Sequence, residues 1–172
     1  KIFHKAGFII KDESENELFF VLKYDPLGQS RNTLKVSIMD YPVSANIYKP
    51  FYLSDIARYA ICQTKETMFA NKLVAVTDRF KKYKTIAGRD IYDIHHFFIR
   101  GFDYNKKVIE ERTRKKPEEY LKILIEFIEK KVTDKNLRED LSYLLSPDKQ
   151  FILKNLKTET VNLLQDEIVI VR

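Results

Sequence analysis

The feature that most constrains this chain is a change of hydrophobic period near Thr64. Ahead of it, apolar residues run in short blocks or alternate, as strands require; beyond it they recur at three and four, as amphipathic helices require. Residues 18–24, LFFVLKY, are apolar on both faces and read as a central strand, closed by the turn residues Asp25-Pro26-Leu27-Gly28. Residues 33–39 alternate, with Leu34, Val36 and Ile38 on one face and Thr33, Lys35 and Ser37 on the other. Gly7 closes a short helix, and Phe8, Ile9 and Ile10 enter a strand. Residues 11–17 are expected to be a polar hairpin or loop. Residues 41–54, with Pro42 and Pro50, read as an irregular aromatic-rich connection, and 56–62 as one more strand.

Thr64 is the expected N-cap of the first long helix, in which Phe69, Leu73, Val76 and Phe80 form one apolar stripe. Further on, Pro117 suits a first helical turn, and Tyr120, Leu121, Leu124, Ile125 and Ile128 form a buried stripe. The stretch RTRKKPEEY is expected to be a solvated helix start. Asp134 is expected to cap a helix that buries Leu137, Leu141, Leu144 and Leu145, and Ser146-Pro147-Asp148 to break it. Residues 151–165 read as another helix and 168–171 as a short strand or packed tail. The organisation is therefore α+β, with strands over 1–63, a pair of helices over 64–100 and a helical bundle domain over 101–172.

The chemistry concentrates in that middle pair. Lys72 and Arg79 each lie three residues after a stripe residue, so they flank the buried side, where an ordinary surface helix carries no cations. The next helix begins after Gly88 with Arg89-Asp90, and Asp93 follows by three, which places both carboxylates on one side of its first turn. Ile91, Ile94 and Phe98 supply its buried side. A lysine held against apolar surface is costly unless a negative group meets it. Either Asp90 and Asp93 meet it, pinning the two helices together, or a ligand phosphate does; spacing leaves both open.

With 44% hydrophobic residues, 12 Phe and 10 Tyr, the chain can fill a core. The single cysteine, Cys62, excludes an internal disulfide framework and reads as a small core residue in a reducing compartment. No run of about eighteen apolar residues and no signal-peptide pattern occurs, so a cytoplasmic protein without a membrane span is expected. The net charge of +6 permits a polyanionic partner. Lys81, Lys82 and Lys84 are expected in the connector between the two helices, either as a solvated turn or as a guide for a phosphate backbone. His95 and His96 point about 100° apart on a helix and cannot share one ion, so a structural role is expected.

The pattern Lys72-Leu73-x-Ala75-x-x-x-Arg79, a basic connector, then Arg89-Asp90-x-x-Asp93-Ile94 resembles the downstream motifs of the AbiEii/AbiGii-type nucleotidyltransferase toxins. That resemblance implies a nucleotidyltransferase-type mixed sheet followed by helices, acting in abortive infection and toxin–antitoxin pairs. It implies that Lys72 contacts the phosphates of an NTP, with Asp90 acting as a catalytic general base or orienting the lysine, and Arg79, Arg89 and Asp93 completing nucleotide binding. Intact enzymes of this kind use Mg2+ and NTP, and the implied partners are an RNA acceptor and a cognate antitoxin.

The Gly-Ser turn and Asp-x-Asp pair that hold the triphosphate and Mg2+ in such enzymes do not occur in these 172 residues. The resemblance covers the family's second half. The family's third carboxylate falls at Ser37, and the glutamate often found before the motif lysine is Asn71. As it stands the chain is expected to be unable to catalyse transfer by itself. Two further readings stay open: a non-catalytic RNA- or antitoxin-binding module derived from this fold, and an interaction domain whose motif residues form a salt-bridge network.

Overall fold

A computed structural model of the chain describes residues 2–14, 18–24, 32–38 and 42–170. It comprises two compact units, Lys1–Pro42 and Val43–Arg172.

In the first unit a short helix α1 (Ile2–Lys5) ends at Gly7, whose φ of +83° favours glycine. Three antiparallel strands follow: β1 (Ile9–Glu13), β2 (Leu18–Lys23) and β3 (Thr33–Ile38), in the order β1-β2-β3. The block LFFVLK is central, as its two apolar faces require, and buries Leu22. The polar residues Asp12 and Glu13 extend β1 past a register shift between Ile10 and Asp12, so part of the expected loop is strand. The turn expected at residues 25–28 lies outside the described residues.

The second unit opens with a β-hairpin of β4 (Tyr48–Leu53) and β5 (Arg58–Gln63), joined through a 3-10 turn, Ser54–Ile56, and Ala57 in the left-handed region. The connection expected to be irregular therefore contains a strand. Pro50 concealed it; a proline lacks the ladder N–H but is tolerated where a strand has an open edge, and β4 pairs with β5 alone among the described residues.

The rest is helical. α2 (Lys65–Tyr83) starts at the Thr64 cap, whose hydroxyl accepts from Thr67 N–H. Of its expected stripe Phe69, Leu73 and Val76 are buried and Phe80 is only half-buried, and Phe69 sits against Phe97, Phe98 and Tyr104 with ring centroids 4.8, 4.8 and 5.8 Å apart. α3 (Gly88–Ile99), α4 (Lys106–Thr113) and α5 (Pro117–Lys131) pack on α2, and α6 (Asp134–Leu141) and α7 (Leu156–Ile170) close the bundle over α3 and α5. All five residues of the expected α5 stripe are buried.

Several boundaries differ from expectation. Arg112 and Thr113 end α4, Arg114 takes a left-handed cap with φ 58°, and Pro117 starts α5, so RTRKKPEEY spans a helix junction. Thr133, not Asp134, caps α6, because its hydroxyl reaches Asn136 N–H while the Asn136 side chain returns to Thr133 N–H. α6 stops at Leu141, leaving Leu144 exposed. Pro147–Lys154 is a 3-10 segment, and α7 runs on through Ile168 where a strand or tail was expected. The β-branched propensity there yields to burial of Leu164 and Ile168. Val171 lies outside the described residues.

Candidate functional site

α2 and α3 pack side by side, and their facing turns bring together four of the expected site residues. Lys72 Nζ lies 3.1 Å from Asp90 Oδ1 and 2.7 Å from Asp93 Oδ2. Arg79 Nε donates to Asp90 Oδ2 at 3.0 Å. Seven residues separate the two cations, nearly two turns, so both lie on one side of α2 and reach the same carboxylate from different directions. Asp90 is 1% exposed, whereas the side chains of Lys72, Arg79 and Asp93 are about one third exposed, at 37%, 33% and 36%. A buried anion is thus compensated by two cations that reach the surface.

This geometry governs the charge on Lys72. Partial burial pulls the ammonium's pKa down, but the hydrogen bond it donates to Asp93 and the charge of Asp90 outweigh it and hold the group above its ordinary 10.5. Lys72 is a fixed positive charge at neutral pH.

Local structure explains why Asp90 can be buried in the first turn. α3 has no side-chain cap of its own at Ala87; instead the Asp140 carboxylate of α6 accepts from Gly88 N–H at 2.7 Å. Gly88 is tight against α6: a Cβ there would lie 3.0 Å from Asn136 O and from Leu137 Cα. The helix start also favours acids through its dipole.

Arg89, the remaining expected nucleotide-binding residue, is exposed and forms no ion pair among the described residues. It lines, with Tyr92, Asp93, Leu141 and Leu145, a cleft of about 360 Å³ beside the cluster. Lys81 and Lys82 are not in a connector but in the last turn of α2, and Lys84 is its left-handed cap with φ 56°. Lys81 is 3.8 Å from Asp78, Lys82 lies over the Tyr83 ring at 5.0 Å and Lys84 over Phe80 at 5.7 Å. The basic group therefore sits at one helix end, away from the Lys72 turn.

His95 Nε2 pairs with Glu159 Oε2 at 2.9 Å, joining α3 to α7, while His96 stacks on Tyr92 with centroids 6.2 Å apart. Ser37 is exposed on β3, paired with Phe19. No group of three or more His, Cys, Asp or Glu poised for a metal occurs among the described residues. Both Asp90 oxygens already accept from cations, so this donor set does not fit Mg2+.

A second polar network lies beside the first. Arg112 of α4 donates to Asn71 Oδ1 at 2.7 Å and to Asp78 Oδ2 at 2.8 Å, and Asn71 Nδ2 donates to Asn46 Oδ1 at 2.9 Å. Glu111 accepts from Ser44 N–H, Ser44 Oγ and Ala45 N–H, all at 2.7 Å, which holds its carboxyl below the ordinary 4.5. These contacts fix the chain ahead of β4 to α4, and no local sequence pattern announces them.

No helix among the described residues is long and apolar enough to cross a membrane. Comparison with curated proteins and with solved structures finds no match. Residues 5–155 match the family described as nucleotidyl transferase AbiEii toxin, type IV TA system. With a paired-helix cluster carrying the motif lysine, arginine and aspartates, and a family match over most of its length, the chain belongs to the nucleotidyl transferase AbiEii toxin family of type IV toxin–antitoxin systems.

Proposed function

We propose that this toxin-family protein serves the transfer of a nucleoside monophosphate from an NTP to the 3′ end of an RNA, acting in the cytoplasm in abortive infection, with a cognate antitoxin as partner. In that reaction the acceptor hydroxyl forms a bond to the α-phosphorus, the bond to the β-phosphate oxygen breaks, and pyrophosphate leaves. Lys72 and Arg89 offset the charge of the triphosphate, and Arg79 adds to the same field. Asp90, with both oxygens engaged, orients Lys72 and Arg79 instead of accepting a proton. Asp93 holds the second side of the lysine. Lys81, Lys82 and Lys84 guide an RNA backbone by charge.

Mg2+ bound by a nucleotidyltransferase screens the triphosphate and the leaving pyrophosphate. The described residues do not fit it, because both Asp90 oxygens are taken by Lys72 and Arg79.

The observation that carries the reading is a surplus cation at the α2–α3 contact, Arg89, which stands on the wall of the neighbouring cleft. Lys72, Arg79 and Arg89 stand against Asp90 and Asp93, and Arg89 has no acid of its own among the described residues. A structural clasp between two helices has no use for that third cation. A second reading, a non-catalytic RNA- or antitoxin-binding module, is favoured by Ser37 in place of an acid.

The test is ultraviolet cross-linking of each NTP labelled at the α-phosphate, because the chain by itself is expected to lack the transfer step. Cross-linking that unlabelled NTP competes away and that Lys72→Ala abolishes supports the transferase reading. Salt-dependent RNA binding with no NTP cross-linking supports the module and overturns the transferase reading.

A further inference from the structure

A cleft of about 220 Å³ lies between α2 and α5, on another side of α2 from the Lys72 cluster. Phe80, one residue after Arg79, is turned about 100° from it around the helix axis. The cleft is walled by Phe80, Ile123 and Phe127, with Tyr120 beneath, and Phe80 meets Phe127 edge-on at 5.2 Å. Ile123 is 40% exposed although α5 buries its core stripe elsewhere, so the apolar face of α5 is broader than the bundle uses.

The rim is cationic. Lys81, Lys115 and Lys131 line it, and Lys84 and Lys131 both lie over the Phe80 ring, at 5.7 and 5.8 Å. Lys115 pairs with Glu119 and Lys81 is a distant 3.8 Å from Asp78, while Lys84 and Lys131 form no ion pair among the described residues. Asp78 is itself engaged by Arg112 at 2.8 Å. The rim keeps a surplus of positive charge around an apolar floor.

The floor offers no hydrogen bond to a guest. The Tyr120 hydroxyl donates to Leu73 O at 3.0 Å and contacts Thr77 Oγ1 at 2.9 Å, and Thr113 Oγ1 donates to Ile109 O at 2.7 Å. A nucleobase would find no group to read its edge, and the Phe80 ring already carries two ammonium groups where a base would stack. An apolar side chain entering from a negatively charged segment satisfies both floor and rim.

We propose that this cleft is a docking site for an acidic peptide segment of a partner protein, which inserts a large apolar side chain between Phe80, Ile123 and Phe127 and sets its carboxylates against Lys81, Lys84 and Lys131. Mixed charge and apolar insertion make binding sensitive both to salt and to a single buried charge.

The test uses the full chain and a fluorescein-labelled synthetic peptide with a Leu-Phe pair flanked on each side by Glu residues, read by anisotropy. A control peptide carries Ser-Ser in place of Leu-Phe, and oligo(U) RNA is the competitor. Ile123→Glu places a carboxylate in the cleft at a half-exposed position, and Lys131→Glu reverses a rim charge. The proposal expects saturable binding of the Leu-Phe peptide, at least fivefold loss with either variant and with Ser-Ser, and NTP binding unchanged in Ile123→Glu. Equal binding of both peptides, or no effect of Ile123→Glu, overturns it. Oligo(U) binding that is lost in Ile123→Glu while the peptide fails to bind overturns it in favour of RNA.

Discussion

Arg79 Nε and Asp90 Oδ2 meet at 3.0 Å across the α2–α3 contact, and this bond makes Asp90 a buried carboxylate with two cationic partners instead of one. Either cation alone leaves the anion partly compensated. We expect Lys72→Ala and Arg79→Ala each to cost about 1 kcal/mol, discounted from the range for charged hydrogen bonds because both side chains are a third exposed. The double variant strands the buried charge and costs about 3–5 kcal/mol. Urea unfolding of the cycle checks this, and simple additivity would contradict it. Since Lys72 is raised above 10.5, its share of stability is present below that pH and is lost as pH rises through the raised value.

Gly88 ties the site to α6. A methyl group there meets backbone of Asn136 and Leu137 at 3.0 Å, and neither can yield as a flexible side chain would. Gly88→Ala is expected to destabilise by about 1–3 kcal/mol through overpacking, in spite of alanine's better helix propensity. A thermal melt that shows no loss would mean that α3 and α6 are less closely apposed.

Tyr120 is buried at the α2–α5 contact, and its hydroxyl is pushed well above the usual phenol range, first by burial. Tyr120→Phe removes the donor to Leu73 O and the contact with Thr77, and is expected to cost about 0.5–1.5 kcal/mol. Chemical denaturation at neutral pH measures it.

Glu111 anchors the backbone of Ser44 and Ala45 in its charged form. Its pKa is depressed from 4.5 by the hydrogen bonds from the Ser44 side chain and from the backbone of Ser44 and Ala45. The stability it confers is therefore complete above about pH 4.5 and is lost as pH falls through the depressed folded value. Amide exchange at Ser44 and Ala45 should accelerate on acidification, and Glu111→Gln should show the faster rate already at neutral pH.

The sequence disclosed what is local. The spacing of Lys72, Arg79, Asp90 and Asp93 offered their meeting as one of two readings, with a ligand phosphate as the other, and the packing of α2 on α3 brings the four together. The α5 stripe was equally plain because its period is unbroken. Partners distant in sequence were hidden: Glu111 to Ser44 spans 67 residues and Asp140 to Gly88 spans 52, and each uses a single exposed-looking acid with no pattern around it. β4 was obscured by Pro50, whose missing N–H argues against a central strand but not against one with an open edge. The α6 cap shifted by one residue because Thr133 and Asp134 are both good caps, and the Asn136 side chain selects Thr133.

We expect Lys72 and Arg89 to bind the phosphates of an NTP together, and calorimetric titration of NTP into the protein and its Arg89→Ala variant checks this. Arg89 is exposed and carries no ion pair among the described residues, so its removal should leave the melting temperature within about 1 °C of the parent, as surface changes away from caps and cores do. NTP affinity should fall about tenfold in Arg89→Ala at unchanged stability, and further in Lys72→Ala. Unchanged affinity in both variants would contradict it and leave the cluster as a clasp between α2 and α3.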